Sequence, residues 1–381
     1  MYHGRISQQI SRPTHVLVDL GQIVRNYHAI QRHTGTHVMA IIKADAYGHG
    51  IVEVATRLQQ ENVAYFGVAY LEEALLLRES GIQTPILVLG GIVGAQIPLY
   101  IEHNITMTAS SIDKLVAIEE VTKQYSAIQK DKKPKVHLKI DTGMERIGVH
   151  EYSASGFLVK AAECQYIEIE GIYSHFANAD SVDLTHARLQ LERFHMVLDM
   201  ATEMGLSFRY RHIANSGAVV QLPECVLDMV RVGILLYGVY PSSSLEKTID
   251  VRPALVWKSQ VVFFKVVLPN RPVGYGSTWQ SDQMTRVVTI PVGYGDGYHR
   301  HMMGQAQVLI RGKRYPVIGS ICMDQIMVNI GWDEVYNGEE VVLLGFQGKE
   351  EITAHELALW SGSISYEMLT SINLRVSRVY T

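Results

Sequence analysis

Eight short apolar runs, separated by longer segments with helical spacing, dominate the first 240 residues of the chain. The runs are rich in β-branched residues and lack clean polar–apolar alternation, which is typical of parallel strands covered on both faces. They are Val38–Ile42, Ala64–Ala69, Ile86–Leu89, Ile105–Thr108, Val136–Ile140, Ile167–Tyr173, Tyr210–Ala214 and Met229–Val232. Eight strand–helix units in series predict an α/β fold with an N-terminal (β/α)8 barrel of the TIM type. An open doubly wound sheet is the alternative, but no Gly-x-Gly-x-x-Gly follows the first strand.

The pattern changes after about Tyr240. Pro241–Ser244 is typical of a linker, and short strands with turn signals such as Asn337-Gly338 follow it. We therefore predict a barrel domain over residues 15–240 and a C-terminal, mostly-β domain over residues 241–381, to which residues 1–14 also belong. The run Thr14–Leu20 is a candidate further strand that returns to the barrel.

Composition excludes several classes of protein. Lys+Arg 34 against Asp+Glu 38 gives a net charge of −4, which argues against a nucleic-acid partner. The 3 cysteines lie far apart, so we expect neither a disulfide scaffold nor a bound metal. Residues 80–101 carry no charge, but prolines and glycines interrupt them, which favours a buried strand and a loop over a membrane span. Since no apolar run opens the chain, we expect a cytoplasmic protein.

One lysine stands out where the first predicted strand ends. Active groups of a barrel collect at the carboxyl ends of its strands, and Lys43 follows Ile41 and Ile42 there. A lysine in apolar surroundings has a lowered pKa and is a nucleophilic amine, as Schiff-base chemistry requires. A lysine that merely ends a strand and reaches water is the alternative.

The ends of strands seven and eight have the residue types of a phosphate site. Ser216 supplies a hydroxyl, and Gly233 and Ile234 supply backbone N–H groups that an anion can approach closely. A phosphate site opposite a buried amine fits either a pyridoxal-phosphate enzyme or an aldolase of a phosphorylated sugar. Arg231 favours the first, since pyridoxal enzymes place a protein group against the pyridine nitrogen. A structural ion pair is its other interpretation.

Three further polar residues lie at strand ends. His175 is better suited to orienting a ring than to acting as a base, although a packed core histidine also fits. Lys139 and Arg146 flank an Asp-Thr-Gly segment that could bring them together. Two adjacent cations repel, so one must be modified or neutralised. In the second domain, Tyr275 stands between two glycines and is free to project, or it is a packed aromatic on a hairpin.

Together these motifs resemble the alanine racemases, the fold-type III pyridoxal-phosphate enzymes. The segment from Ala40 to Gly50, Ala-Ile-Ile-Lys-Ala-Asp-Ala-Tyr-Gly-His-Gly, is similar to that family's cofactor-lysine signature. The resemblance extends from about Thr14 to Tyr380. Its supporting motifs begin at Lys139, Ser174, Ala214, Arg231, Tyr275, Gly293, Cys322 and Ile364.

The resemblance implies a set of residue roles. Lys43 would hold pyridoxal 5'-phosphate covalently and act as one catalytic base, and Tyr275 from the partner of a head-to-tail homodimer would act as the other. Arg231 would face the pyridine nitrogen, and His175 would bridge Arg231 and Tyr275. The phosphate would be held by Tyr47, Ser216, Gly233, Ile234 and Tyr366.

The same resemblance implies how the substrate would be held. Arg146 would contact the substrate carboxylate, and Met323 would offer its backbone N–H to that carboxylate. Lys139 matches a lysine that is carbamylated in many members, which would turn a cation into an anion that can pair with Arg146. One departure bears on this loop, because Glu145 stands where the family motif usually has glycine.

The activity implied is the interconversion of L- and D-alanine by a two-base mechanism, supplying D-alanine for peptidoglycan. A serine racemase or a racemase of broad specificity in the same family is the alternative substrate assignment. A barrel-type amino-acid decarboxylase and a pyridoxal-phosphate carrier are rivals from other classes. The roughly 140 residues after Tyr240 argue against the carrier, which needs little more than a barrel.

Overall fold

The computed structural model describes residues 12–126 and 133–381. Two compact units divide the chain, one of them Ile23–Arg252 and the other Pro253–Thr381 together with the described residues up to Gln22. The described part opens with strand β1 (His15–Val18) and helix α1 (Leu20–Thr34). The boundary between the units falls within the first turn of α1.

The unit Ile23–Arg252 is a barrel of eight parallel strands. They are β2 (His37–Ile41), β3 (Tyr65–Val68), β4 (Ile86–Val88), β5 (Met107–Ala109), β6 (Lys135–Asp141), β8 (Glu168–Tyr173), β9 (Tyr210–His212) and β10 (Met229–Val232), with a two-residue strand β7 (Val149–His150) beside β6. The strands pair in the orders β10-β2-β3-β4 and β5-β6-β8-β9. A bridge between Leu87 and Thr106 and a bond from Arg231 N–H to Ala214 O at 2.9 Å join these two sheets. The predicted barrel is confirmed.

Helices connect the strands of this unit, as the segments with helical spacing between the apolar runs predict. Its helical elements after α1 are α2 (Lys43–Gly48), α3 (Ile51–Gln59), α4 (Leu71–Glu79), α5 (Ile97–Glu102), α6 (Ile112–Ser126), α7 (Ala154–Ala162), α8 (Thr185–Glu203) and α9 (Ser216–Gln221). Helix α8 buries Ala187, Leu191, Phe194, Leu198 and Ala201, which is the apolar face that the sequence shows. No helix in the described ranges is both long and apolar enough to cross a bilayer.

The second unit is built on a ten-stranded sheet. Its strands are β1, β11 (Leu255–Gln260), β12 (Phe263–Val267), β13 (Thr285–Ile290), β14 (Gln307–Ile310), β15 (Lys313–Ile318), β16 (Ile326–Gly331), β17 (Glu340–Gln347), β18 (Glu350–Ile352) and β19 (Ser377–Tyr380). Helices α10 (Ala354–Ser361) and α11 (Ser365–Thr370) complete it. Thr353 and Glu356 cap α10 reciprocally, because each side chain bonds the other residue's N–H.

The expectation that Thr14–Leu20 returns to the barrel is wrong. Strand β1 pairs antiparallel with β11 and parallel with β19, in the sheet of the second unit. Its side chains alternate, with Val16 and Val18 fully buried and the residues beside them half-buried. Such alternation suits a sheet with one covered face, whereas strands of a barrel are covered on both.

Candidate active site

The carboxyl end of β2 runs into a turn of left-handed helix. Lys43 is the first residue of this element, and Ala44–Tyr47 have φ angles between 52° and 55°. A left-handed conformation costs roughly 1–2 kcal/mol for each non-glycine residue. Four in succession therefore persist only because surrounding contacts hold them, and strain of this kind concentrates at functional sites.

Asp45 links the turn to the helix that follows. Its Oδ1 accepts a hydrogen bond from the N–H of Ile51 at 2.9 Å, and its carbonyl oxygen accepts one from the N–H of Gly50 at 2.9 Å. The carboxylate thus satisfies an N–H at the start of α3 that has no acceptor inside the helix. These bonds fix the end of the turn.

The amine of Lys43 is electrostatically set up for nucleophilic chemistry. Burial lowers the pKa of Lys43, the positive charge of Arg146 lowers it further, and the carboxylate of Glu73 opposes both. A lowered pKa leaves a larger fraction of neutral amine at neutral pH, which is the reactive form. The sequence predicts this from the two isoleucines before the lysine, which are 6% and 0% exposed.

Ser216, Gly233 and Tyr47 come together at the ends of the first and the last two strands. The N–H of Gly233 lies 3.1 Å from Oγ of Ser216. A Cβ on Gly233 would lie 2.4 Å from Oη of Tyr47, so only glycine fits between these groups. Ile234 begins a short 3-10 helix directly after Gly233, and the first N–H groups of a helix have no acceptor inside it. The result is a compact set of hydroxyl and N–H donors.

Tyr237 ties this set to the strand that carries Lys43. Its Oη donates to the carbonyl oxygen of Ile41 at 3.0 Å, and its ring lies 5.1 Å from that of Tyr47. All three residues are buried. Residues that are far apart in the chain, at the ends of β2 and β10, are therefore held in one rigid cluster.

Arg231 is buried and bonded to neutral groups. Its guanidinium donates to the carbonyl oxygens of Ser174 and Ile213 at 2.7 and 3.0 Å, to Nδ1 of His212 at 2.8 Å and to Nδ1 of His175 at 3.0 Å. Burial lowers the pKa of Arg231 to about 10, so it stays protonated at neutral pH. Burial and the charge of Arg231 hold the pKa values of both histidines well below their usual range. These neutral partners favour a functional role for Arg231 over a structural ion pair.

The bond to His212 begins a chain of hydrogen bonds through the barrel interior. Nε2 of His212 lies 2.9 Å from Nδ1 of His137, and Nε2 of His137 lies 3.2 Å from Oε2 of Glu170. Arg231 can only donate and the ionised Glu170 can only accept, so both histidines accept at Nδ1 and donate from Nε2. Lys135 and Tyr65 also donate to the Glu170 carboxylate.

Sequence reasoning missed this chain, although a signal was present. Lys135, His137 and Lys139 occupy alternate positions of β6, and alternate residues of a strand share one face. Polar side chains at every second position of an otherwise apolar strand indicate an inward-facing polar network. His212 lies likewise at the end of β9, and Glu170 lies within β8.

Lys139 is buried beside Arg231. It is 3% exposed, and its Nζ donates to the carbonyl oxygen of Ile140 at 3.0 Å. Burial first, then the charges of Arg231 and Arg146, lower its pKa to about 7 although Asp141 opposes them. Close to half of such an amine is neutral at pH 7 and can react with carbon dioxide.

Asp141 organises the loop that carries Arg146. Its Oδ1 accepts from the N–H groups of Gly143, Met144 and Glu145 at 2.8, 2.9 and 3.2 Å, and its Oδ2 accepts from that of Arg146 at 3.1 Å. Glu145 takes a φ of 54°, which is the left-handed conformation that favours glycine. The chain thus keeps the backbone of a glycine at this position and accepts the strain of a side chain there.

The second unit holds the other predicted residues. Tyr275 begins a short 3-10 turn, is 74% exposed, and has its carbonyl oxygen bonded by Oγ of Ser320 at 2.7 Å. It lines a cleft of about 740 Å³ together with Met323, which is 52% exposed, and Arg300. Tyr366 lies on α11 and is half-buried. Of the predicted residues in the second unit, Tyr275 and Met323 are therefore open to solvent.

Asp296 holds the loop that carries Met323. Its carboxylate accepts from Arg375 at 2.7 Å and from Arg12 at 2.6 Å, and Arg375 also bonds Asp324 at 2.8 Å. The N–H of Gly295 donates to the carbonyl oxygen of Met323 at 3.0 Å. This network fixes the backbone around Met323.

Comparison with known proteins shows the family of this chain. The family model described as "Alanine racemase, N-terminal domain" matches residues 18–241, and the one described as "Alanine racemase, C-terminal domain" matches residues 254–380. A relative named "Alanine racemase" from Carboxydothermus hydrogenoformans is 42% identical over 97% of this chain and 100% of its own length. One of the same name from Halothermothrix orenii is 38% identical over 98% of both chains.

Solved structures are equally similar. An alanine racemase from Clostridium difficile 630 superposes with a TM-score of 0.90 at 37% identity, over 98% of this chain and 96% of the other. An alanine racemase from Bacillus anthracis, solved with bound L-Ala-P, has a TM-score of 0.89 at 34% identity over the same shares. With both family models and full-length relatives in agreement, the chain belongs to the alanine racemase family.

Proposed function

We propose that this chain interconverts L- and D-alanine with pyridoxal 5'-phosphate as cofactor, using Lys43 and Tyr275 as its two bases. The observation that carries the proposal is the amine of Lys43, whose pKa is lowered at the head of a left-handed turn beside a cluster of anion-binding groups. The full-length relatives named alanine racemase favour alanine over serine as the substrate.

The residues of the barrel fit the cofactor. The hydroxyls of Tyr47 and Ser216 lie directly beside the backbone of Gly233, where a Cβ would come within 2.4 Å of Oη of Tyr47, and such hydroxyls next to an uncovered backbone suit a phosphate. Besides burial, the positive charge of Arg146 lowers the pKa values of Lys43, Lys139 and Arg231, and that of Arg231 lowers the pKa of Lys139, so the site has positive charge in excess. A cofactor with an anionic phosphate and an amino-acid carboxylate would neutralise that excess. We assign the phosphate to Tyr47, Ser216, Gly233, Ile234 and Tyr366.

Racemisation needs proton transfer on two faces of the substrate carbon. When bound to the substrate amine, pyridoxal phosphate withdraws electrons from Cα and makes its proton acidic. Nζ of Lys43 then takes or returns that proton on one face, and Oη of Tyr275 does so on the other. A single base that returned the proton to the face it came from would retain the configuration.

Arg231 and His175 set the electronic environment. Arg231 is protonated at neutral pH and can only donate, so we assign it to face the pyridine nitrogen, which it would keep unprotonated. Electron withdrawal through the ring would then be weaker than with a protonated nitrogen. His175 accepts from Arg231 at Nδ1, which leaves Nε2–H free to donate, and we assign it the orienting role rather than that of a base.

Arg146 and Met323 are assigned to the substrate carboxylate. Arg146 offers a guanidinium suited to bidentate binding of a carboxylate, and Met323 offers its backbone N–H. A carbamate on Lys139 would be anionic and would pair with Arg146, which holds that guanidinium in place. Formation of the carbamate joins the neutral amine to the carbon of carbon dioxide and releases one proton.

We infer a head-to-tail homodimer in which Tyr275 serves the partner's site. Tyr275 is 74% exposed, and the edge strand β12 exposes Phe263, Phe264 and Val266 at 52, 42 and 45%. An uncovered apolar edge strand is unusual in a monomer. Mixing the inactive variants Lys43→Ala and Tyr275→Phe tests the arrangement. Activity returns if one chain's lysine works with the other chain's tyrosine, and stays absent if both bases come from one chain.

We place the enzyme in the cytoplasm and assign it to the supply of D-alanine for peptidoglycan. Cys164, Cys225 and Cys322 are all free thiols, which suits a reducing compartment. Deletion of the gene in its host should create a requirement for D-alanine. Growth without D-alanine, in a host that has no second racemase, would contradict the assignment.

Solvent exchange in D₂O tests the two-base proposal. The wild-type holoenzyme should exchange the Cα proton of both enantiomers, whereas Tyr275→Phe should exchange that of one enantiomer only. Racemisation should fall by about 10²–10⁴-fold, the usual contribution of a positioned acid or base. Tyr152→Phe, which alters a tyrosine 76% exposed on the barrel unit, is the matched control. Exchange of both enantiomers at equal rates in Tyr275→Phe would refute the role of Tyr275.

A further inference from the structure

Glu73 uses both oxygens of its carboxylate as hydrogen-bond acceptors. It lies in the first turn of α4, where Oε2 accepts from the N–H groups of Ala69 and Tyr70 at 2.7 and 3.3 Å. This part of its contacts is a local helix cap. Its other oxygen, Oε1, accepts from the N–H of Ala44 at 2.7 Å, 29 residues earlier in the chain.

The N–H of Ala44 belongs to the first left-handed residue after Lys43. The pairing of the barrel strands ends just before it, with the bond from Ile42 N–H to Gly67 O at 3.0 Å. A backbone N–H that has left the sheet still needs an acceptor. A carboxylate supplies a charge-assisted bond, which is about twice as strong as a bond between neutral groups. Glu73 therefore fastens the start of the turn to the neighbouring strand-to-helix loop.

The charge of Glu73 acts on the same lysine. Its carboxylate raises the pKa of Lys43 against the lowering by burial and by Arg146. Geometry and charge thus point to one residue that the roles assigned above do not include. Glu73 is neither among the residues assigned to the phosphate nor one of the two proposed bases.

We propose that Glu73 is a positioning residue for Lys43. It holds the first peptide of the left-handed turn, so that the Lys43 amine stays in the position from which it acts on the substrate. The proposal rests on the proposed function in that Lys43 is the amine that works on the substrate. Relaxation of the turn would move the amine without removing it. Misplacement of about 1 Å lowers catalysis strongly even when every reacting group is present.

The variant Glu73→Gln separates the two contacts of Glu73, which are the cap of helix α4 and the hydrogen bond to the N–H of Ala44. One amide oxygen can still accept from Ala69 and Tyr70, since glutamine also serves in capping boxes. The amide nitrogen can only donate, so it cannot accept from Ala44. Glu73→Gln therefore keeps the helix start and loses the bond to the turn. Glu72→Gln, one residue earlier in the same turn of α4 and exposed, removes the same charge without touching Ala44.

Hydrogen exchange of the holoenzyme tests the proposal directly. In Glu73→Gln we expect the amides of residues 44–48 to exchange about tenfold faster than in the wild type, the effect of losing one bond to a charged group. Residues 69–74 should exchange at the wild-type rate, and Glu72→Gln should match the wild type throughout. Wild-type exchange at residues 44–48 in Glu73→Gln would overturn the proposal.

Kinetics provide a second readout. Glu73→Gln should lower kcat on the order of tenfold with little change in KM, because the amine and not the substrate is misplaced. The limb of the pH profile that reports Lys43 should move to lower pH, because a group that raises its pKa is gone. An unchanged kcat and pH profile would count against the proposal.

A second variant and a labelling experiment distinguish failure of this proposal from failure of the proposed function. If Glu73→Gln does not fold, Glu73→Asp keeps the charge and the local cap but is too short to reach Ala44, and it should show the same faster exchange. Borohydride treatment followed by peptide mapping tests Lys43 separately. Labelling of another lysine would defeat the proposed function while leaving the exchange result as it stands.

Discussion

Nη1 of Arg231 donates to Nδ1 of His212 across 2.8 Å, so a permanent donor sets the tautomer of a buried histidine. His212 therefore donates to His137, and His137 donates to Glu170, so the three hydrogen bonds run in one direction from donor to acceptor. A guanidinium at the end of the barrel where the strands' carboxyl ends meet is thus connected to a carboxylate inside it. This chain of rings thus helps to hold Arg231 in position.

Replacement of Glu170 should change how stability depends on pH. Burial alone would raise the pKa of Glu170, but hydrogen bonds from His137, Lys135 and Tyr65 prevail and lower it to about 2. A carboxyl whose folded pKa lies below its unfolded value stabilises the fold above the unfolded pKa, and that contribution is lost as the pH falls towards the folded pKa. At 1.36 kcal/mol per pKa unit, the contribution is on the order of 3 kcal/mol.

We therefore expect Glu170→Gln to lower the free energy of unfolding at pH 7, and the gap to the wild type to close as the pH falls from about 4.5 towards 2. Urea unfolding over this range measures the gap. Glu168→Gln, at the exposed start of the same strand, should show little difference from the wild type. A gap that stays constant with pH would mean that the charge of Glu170 is not what stabilises the fold.

Replacement of Gly233 by alanine should weaken cofactor binding. The new Cβ would lie 2.4 Å from Oη of Tyr47, so that tyrosine has to move away from Ser216 and Gly233, to which we assign the phosphate. Overpacking of this kind costs about 1–3 kcal/mol, which corresponds to roughly a tenfold to hundredfold loss of affinity. Fluorescence titration of the apoenzyme measures it. Gly91→Ala, where the Cβ meets no atom within 4 Å, is the control. Equal affinity in both variants would contradict the phosphate assignment.

Replacement of Glu145 by glycine should stabilise the protein. Glu145 holds a φ of 54°, which glycine adopts without strain, and it loses only an exposed contact with His150 at 2.9 Å. We expect a gain of about 0.5–1 kcal/mol in the free energy of unfolding, with activity unchanged. Glu145→Ala loses the same contact and keeps the strain, so it should show no gain. Similar stability of the two variants in urea would show that the conformation at position 145 is not strained.

Lys139 should bind carbon dioxide reversibly. Its pKa of about 7 leaves much of the amine neutral at neutral pH. With ¹³C-bicarbonate, the wild type should show a carbamate signal in the carbon NMR spectrum that Lys139→Ala lacks and that Lys160→Ala, altered on the exposed side of α7, retains.

Lys139 without a carbamate should also change how the free energy of unfolding depends on pH. Its folded pKa lies below the usual value of 10.5, so the unfolded chain binds more protons between about pH 7 and 10.5. Without bicarbonate, stability relative to Lys139→Ala should therefore rise with pH across that window. A missing carbamate signal together with this rise would show that Lys139 works as a plain lysine.

The barrel was predictable because its signal is local. Each strand is a short run of apolar residues, each helix repeats its apolar face about every 3.6 residues, and a glycine with positive φ follows α4 and α8. Strand β1 was harder to place, because four residues do not say which sheet they join. Pairing with β11 and β19 depends on which sheet has a free edge.

The site was partly predictable for the same reason. Lys43 could be picked out because it ends a strand after two isoleucines, and Gly233 because anion sites need close backbone approach. His137, His212 and Glu170 carry no such local mark, and neither does Glu73. Their roles come from hydrogen bonds to residues 19–75 positions away.

Sequence alone determined most elements of this protein, their order and the lysine that we assign as its reactive amine, because periodicity and residue chemistry act over a few neighbouring residues. Tertiary structure alone decided how that amine is held and tuned. The left-handed turn after Lys43 is strained in isolation, and contacts with distant residues hold it, among them the bond from its first N–H to Glu73. The low pKa values of Lys43 and Lys139 follow from burial and from charges that only folding brings close.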